Sequence, residues 1–337
     1  MNHLLFLGLV IGALSIVGAV ASMSRNFHPF DKAAVLPLRG ILALLVVVGH
    51  CFLMMDLRGY SLATPAVAVF FFVSGYGLMR KRMAMGGSRI EHGFRKAFRK
   101  LVPTFVVASG IYYVVRMVEG RPVPLLYNIL HGETALPIPF TWYVPAILVL
   151  YAIFYLTDRL ARRNWAFLLG VTAGVVGYWC LMVIVLHWQF FWWKSVFGFV
   201  SGILFAAFEP TLRKLVTSKP LVVYAISMLL FSSALYLCTF DGFAVRCSAM
   251  QLYLALIGPI VALGMYSFPC PKVFGLIGTV SYELYIVHGA FVFAFERIVD
   301  CKFLYIGAVL TTSIFAAGVL KKGMEWISER IFAGRRP

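Results

Sequence analysis

Apolar residues fill this chain in long, nearly unbroken runs, and short basic clusters separate one run from the next. Eleven such segments can be drawn, at about 4–22, 34–55, 62–79, 101–118, 140–157, 166–186, 195–208, 221–239, 249–267, 274–295 and 304–320. Most approach the roughly 20 residues that a helix needs to cross a bilayer core. The seventh is short unless it begins earlier, at Trp192. The pattern predicts an all-α, polytopic membrane helix bundle of about 11 transmembrane helices.

Composition narrows the class. The 337 residues are 61% apolar and only 13% charged, with a mean hydropathy of +0.89. Soluble domains run nearer half apolar and a quarter charged, so a soluble fold, a disordered chain and a disulfide-rich module are excluded. The six cysteines lie at 51, 180, 238, 247, 270 and 301 with no C-x-x-C or C-x-H spacing, so no metal site is expected.

The net charge of +17 would suggest nucleic acid in a soluble protein. Here its placement gives another reading. The connecting stretches alternate, and one set, with Arg39, holds 23 of the 30 Lys and Arg residues. The other holds Arg58, Arg116, Arg121, Lys194, Arg246, Arg297 and Lys302. This asymmetry puts the first set and the C-terminus in the cytoplasm and the N-terminus outside. No nucleic-acid partner is needed; membrane lipid is the expected surrounding. The first segment lacks the basic start of a signal peptide and is read as a retained helix. Short loops and the absence of N-x-S/T acceptors point to a bacterial cytoplasmic (inner) membrane. Residues 1–33 form an extra helix and linker, 34–320 the main membrane domain, and 321–337 a basic cytoplasmic tail.

Polar groups inside the apolar segments carry the candidate chemistry. Arg39 and His50 stand eleven residues apart in the second segment. That is three turns plus about 20°, so they share one face, about 16 Å apart along the axis. Ala43 and Val46 lie between them and leave room for something alongside. Arg39 can snorkel to the interface and His50 can be a packed core histidine, but ionisable groups at this depth usually face a cavity or a partner. The third segment ends in Ser74-Gly75, which suits either a packing notch or a ligand's approach to the backbone. Segment ten places Ser281, Tyr285 and His288 on one face at i, i+4, i+7. It also holds Glu283, the one acid within any drawn segment.

Two connections are larger. The stretch 80–100 carries eight basic residues and one acid. Its cluster Arg95, Lys96, Arg99 and Lys100 suits either anionic lipid or a phosphate-bearing ligand. The loop 119–139 carries four prolines with His131 and Glu133, which could serve acid–base chemistry. The aromatic run 187–194 reads as an interfacial tryptophan belt, with sugar stacking as the lesser reading.

Taken in order, these pieces resemble acyltransferase family 3, integral membrane acyl-CoA-dependent O-acyltransferases. The matching elements are Arg39 and His50, the Phe70–Gly75 run, the basic stretch Arg95–Pro103, Trp142-Tyr143 with Tyr151, and Ser281-Tyr282-x-x-Tyr285-x-x-His288. They span roughly 35–320. The basic stretch offers Arg95-x-x-x-Arg99 or Lys96-x-x-Arg99, so the cation holding the family role stays open. One helix precedes the ten-helix core that the resemblance implies.

The resemblance implies transfer of an acyl group, foremost acetyl, from cytoplasmic acetyl-CoA or another acyl-CoA to a hydroxyl of a cell-surface glycan or related acceptor. No tightly bound cofactor is implied; acyl-CoA is a substrate. His50 is then the general base, with an acyl-His50 intermediate as the runner-up chemistry, and Arg39 its catalytic partner at the donor. Arg39, Arg95, Lys96, Arg99, Lys100 and Ser74 would hold the donor. Trp142, Tyr143, Glu283, Tyr282, Tyr285 and His288 would bind substrate, with Ser74, Tyr143 and Tyr282 as candidate oxyanion donors. The rival class is a transporter or flippase for a glycan or lipid-linked precursor. It accounts for the intramembrane His and Glu but not for the ordered motifs.

Overall fold

The computed structural model describes residues 32–56, 63–85, 90–161, 163–218 and 272–333. It is helical, with no strand among the described residues. The helices are α1 (Lys32–Met54), α2 (Ala63–Met85), α3 (Ile90–Val118), the short α4 (Leu125–Leu130), α5 (Tyr143–Leu160), α6 (Asn164–Cys180), α7 (Phe197–Ser218), α8 (Lys272–Thr279), α9 (Ser281–Glu296) and α10 (Lys302–Ala333). The first, eighth and ninth apolar segments lie outside the described residues. Six described helical spans are long and apolar enough to cross a membrane, and the bent pair α8–α9 makes a seventh. A count of about 11 is therefore not reached among the described residues.

Three boundaries differ from the hydropathy reading. Segment ten is not one helix: α8 and α9 meet at 78°. The Thr279 hydroxyl bonds the Leu276 carbonyl and the Val280 N–H bonds the Ile277 carbonyl. These i→i−3 bonds tighten and close α8 before α9 starts. The basic stretch 90–100 is not a loop but the first turns of α3. The C-terminal stretch continues α10 as helix to Ala333.

α2 and α7 run parallel and pack closest, because glycines let their backbones meet. A Cβ on Gly202 would lie 2.0 Å from the Phe72 carbonyl oxygen, and one on Gly198 2.4 Å from that of Ala68. This small-xxx-small spacing is the membrane solution to helix packing, where dispersion replaces the hydrophobic effect. Phe71, Phe72, Phe154, Phe167 and Phe199 fill the interior beside this pair.

The end of the bundle carrying Arg39, Arg82 and Arg99 is the basic end, and the end carrying residues 119–142 is the loop end. At the basic end two cations are neutralised internally. Arg82 Nε lies 2.6 Å from Asp158, its Nη1 donates to Asn164 at 2.8 Å, and its guanidinium stacks 4.1 Å over the Phe167 ring. Arg80 sits 3.4 Å from Glu209, which also accepts from Tyr76 at 3.0 Å. Glu209 is a second buried acid, inside α7 rather than in a loop.

Arg82 thus ties α2 to the α5–α6 turn. Arg82→Ala should destabilise the protein by about 3–5 kcal/mol, because it strands the Asp158 carboxylate in a buried site. The double variant Arg82→Ala/Asp158→Ala should recover part of that loss. Thermal unfolding in detergent reads both.

Candidate active site

Two histidines from distant parts of the chain meet inside the bundle. His50 Nδ1 lies 2.8 Å from His288 Nε2, and His288 Nδ1 lies 2.6 Å from the Tyr285 carbonyl oxygen. A carbonyl oxygen can only accept, so His288 Nδ1 carries the proton. In the neutral ring His288 Nε2 is then an acceptor, and His50 Nδ1 must donate to it. His50 Nε2 is left unprotonated, with no hydrogen-bond partner among the described residues. The tautomers follow from one backbone carbonyl. This is the logic by which a base is oriented by a third group.

Phe140 covers the pair. Its ring stacks on His50 at 4.0 Å and 5°, and it holds a left-handed backbone, φ 65°. A bulky residue in that region is strained by about 1–3 kcal/mol and needs outside support. Two contacts supply it. The Tyr285 hydroxyl donates to the Phe140 carbonyl. The preceding residue, Pro139, rests its carbonyl against Gly289, where a Cβ would come within 2.1 Å.

The aromatic run 187–194 anchors the same loop. Trp192 Nε1 donates to the Gly132 carbonyl at 2.6 Å, Trp188 Nε1 to that of Leu130 at 3.3 Å, and Gln189 to Glu133 at 3.2 Å. Trp192 and Trp193 are buried. The run therefore clamps the loop rather than forming only an interfacial belt. His131 is exposed and uses Nδ1 on the Tyr127 carbonyl, so neither it nor Glu133 joins the histidine pair.

A cavity of about 320 Å³ opens from the basic end toward this pair. Arg39, Ser74, Tyr143, Tyr151, Tyr282 and Tyr285 line it. The Ser74 hydroxyl faces the Tyr143 and Tyr151 phenols, with Arg39 in electrostatic reach of both. Tyr282 spends its hydroxyl on the Leu101 carbonyl at 2.6 Å. Ser281 also lines the cavity, and its buried hydroxyl has no hydrogen-bond partner among the described residues. Tyr143 and Tyr285, with ring centroids 5.3 Å apart, form the far wall. Beyond it the Tyr285 and His288 rings are 5.6 Å apart.

The predicted residues are thus gathered unequally. Arg39 lines the cavity, while His50 does not and stands with His288. Ala43 and Val46 are not a lining: both are packed, at 2% and 1% exposure, and α2, α5 and α9 supply the walls instead. Arg99 and Lys100 are exposed on α3 next to Leu101, which lines the cavity. Arg95 and Lys96 lie on the same helix, one turn further from the cavity. Glu283 is buried within electrostatic reach of Arg39, Lys100 and Lys321. Trp142 is buried against Phe71 and Trp192, where it positions α5 rather than facing the cavity. Phe140 is the residue the motifs missed, since a left-handed phenylalanine leaves no mark in hydropathy.

Such a site, an oriented imidazole beside a cavity with a cationic mouth, suits transfer chemistry on an elongated anionic donor. A family model described as an acyltransferase domain matches residues 38–321, most of the chain, and the chain belongs to this acyltransferase family. No curated protein and no solved structure shows significant similarity to it.

The hydrogen-bond chain makes a spectroscopic prediction. In ¹⁵N-histidine NMR, His50 should be the Nδ1–H tautomer with a bare Nε2, and Tyr285→Phe should leave this tautomer intact while loosening Phe140. An Nε2–H tautomer at His50 would contradict the assignment.

Proposed function

We propose that this protein is an O-acyltransferase of the membrane that moves an acyl group, foremost acetyl, from cytoplasmic acyl-CoA to a hydroxyl of a cell-surface glycan or related acceptor. The observation that carries this reading is the His50–His288–Tyr285 hydrogen-bond chain, which leaves His50 Nε2 as an acceptor, beyond the inner wall of a cavity whose mouth holds Arg39. In this reading the mouth faces the cytoplasm, and the excess of basic residues there supports that orientation.

In this reading the donor phosphates rest at Arg39 and the exposed Arg99 and Lys100, where guanidinium and ammonium groups suit phosphate. The acyl arm extends past Ser74 and the Tyr143–Tyr285 wall toward His50. His50 Nε2 removes the proton of the acceptor hydroxyl as its oxygen attacks the thioester carbonyl carbon. The carbon–oxygen bond forms, the carbon–sulfur bond breaks, and the departing thiolate takes the proton back from the His50 imidazolium. The His50–His288 bond holds the ring in one orientation throughout. The Tyr143 and Tyr151 hydroxyls and Ser74 are the polar groups on that path for the transient oxyanion, since Tyr282 and Tyr285 donate to backbone carbonyls.

The test is free-thiol release from acetyl-CoA by purified protein supplied with a membrane-glycan extract. His50→Ala should lower the rate by about 10²–10⁴-fold, the usual worth of a general base, in a protein that still folds. Full activity in that variant would remove His50 from catalysis. Arg39→Ala should raise KM for acyl-CoA by roughly tenfold or more, as loss of a charge-assisted bond does, and leave acceptor KM unchanged. An unaltered acyl-CoA response would remove Arg39 from the donor site.

A further inference from the structure

A second, larger cleft lies away from the histidine pair, between α3, α9 and α10. Its volume is about 1470 Å³, above the 300–1,000 Å³ typical of small-ligand pockets. Away from the loop end its walls are almost wholly apolar. Ile111 and Phe315 line it and keep 58% and 74% of their surface exposed, so the cleft opens sideways at bilayer depth. The threonines in its wall make no demand on a polar ligand: Thr311 and Thr312 turn their hydroxyls onto the carbonyls of Gly307 and Ala308 in their own helix, at 2.8 and 2.7 Å.

The loop end of the cleft differs from the rest. Arg116, Arg121 and Arg297 line it there. Arg116 is neutralised by Glu119 at 2.7 Å. Arg121 and Arg297 are exposed, and no carboxylate among the described residues pairs with either. They follow the ends of α3 and α9, the level at which those helices leave the bilayer core. An apolar trough that ends in two unneutralised guanidiniums complements one kind of membrane molecule: a long alkyl chain with a phosphate at its head.

We propose that this cleft is a binding site for a phospholipid with an anionic headgroup, drawn from the leaflet at the loop end. The chain lies between α3, α9 and α10, and the phosphate is held by Arg121 and Arg297. The cleft backs onto the histidine pair, because Pro139 and Val287 in its wall are the chain neighbours of Phe140 and His288. The site is independent of the acyltransfer reading and stands whether or not that reading holds.

The test is native mass spectrometry of the full-length protein released from nanodiscs of equimolar phosphatidylglycerol and phosphatidylcholine. Wild type should retain phosphatidylglycerol in preference. Arg121→Ala/Arg297→Ala should lower that preference by roughly 30-fold, at about one kcal/mol per arginine, while Arg330→Ala, far along α10, should leave it unchanged. Ala316→Trp, which fills the trough without touching charge, should release both lipids. Melting temperatures close to wild type identify the variants that fold, and either folded variant suffices. Unchanged phosphatidylglycerol retention in a folded variant would overturn the proposal. So would a wild-type protein that retains no lipid, or one released as a lipid-free dimer.

Discussion

Tyr285 works from both ends, and the rest of the site depends on it. Its carbonyl accepts from His288 and so sets the protonation of two imidazoles in series; its hydroxyl holds Phe140 over His50. The hydroxyl also accepts the Tyr143 N–H at 3.3 Å, which fixes the start of α5. One residue on α9 thus joins α1, α5 and the loop at 119–142. The arrangement can exist only because α9 is a separate helix. The 78° break after α8 gives Ser281–Glu296 its own direction, with Ser281, Tyr285 and His288 all buried.

The basic charge divides into two populations. Arg80 and Arg82 are structural, held by Glu209 and Asp158. Arg39, Arg99 and Lys100 form no salt bridge to a described carboxylate within 4 Å; Arg39 lines the cavity, and Glu283 is buried in the field of Arg39 and Lys100. A carboxylate among these cations keeps their mutual repulsion tolerable at a low-dielectric site, where like charges are costly. The same division separates a topology signal, which any cation can give, from a site, which needs particular ones.

Much of this was legible before the structure. Runs of apolar residues marked most described helices, and helical periodicity put Ser281, Tyr285 and His288 on one face of α9, where all three are buried; Arg39 and His50 share α1, but only Arg39 lines the cavity. The expectation that Ala43 and Val46 leave a channel failed, because periodicity names a face and not what packs on it. The break at Val280 was invisible to hydropathy, since it arises from local i→i−3 bonds within an apolar run. Glu209 fell just past an apolar segment and looked like loop. The pairing of His50 with His288 joins residues 238 positions apart, and no local pattern reports such a contact. The clamping role of the tryptophans was hidden because a belt and a clamp have the same composition; the indole N–H partners reveal the clamp.

The account rests on the cavity and the histidine pair forming one site. The most direct measurement is a cryo-EM structure of the protein with a non-hydrolysable acyl-CoA analogue. The account predicts phosphates beside Arg39 at the basic end and the acyl carbonyl next to His50 Nε2. A donor bound with its acyl group away from His50, or seated in the cleft between α3, α9 and α10, would contradict it.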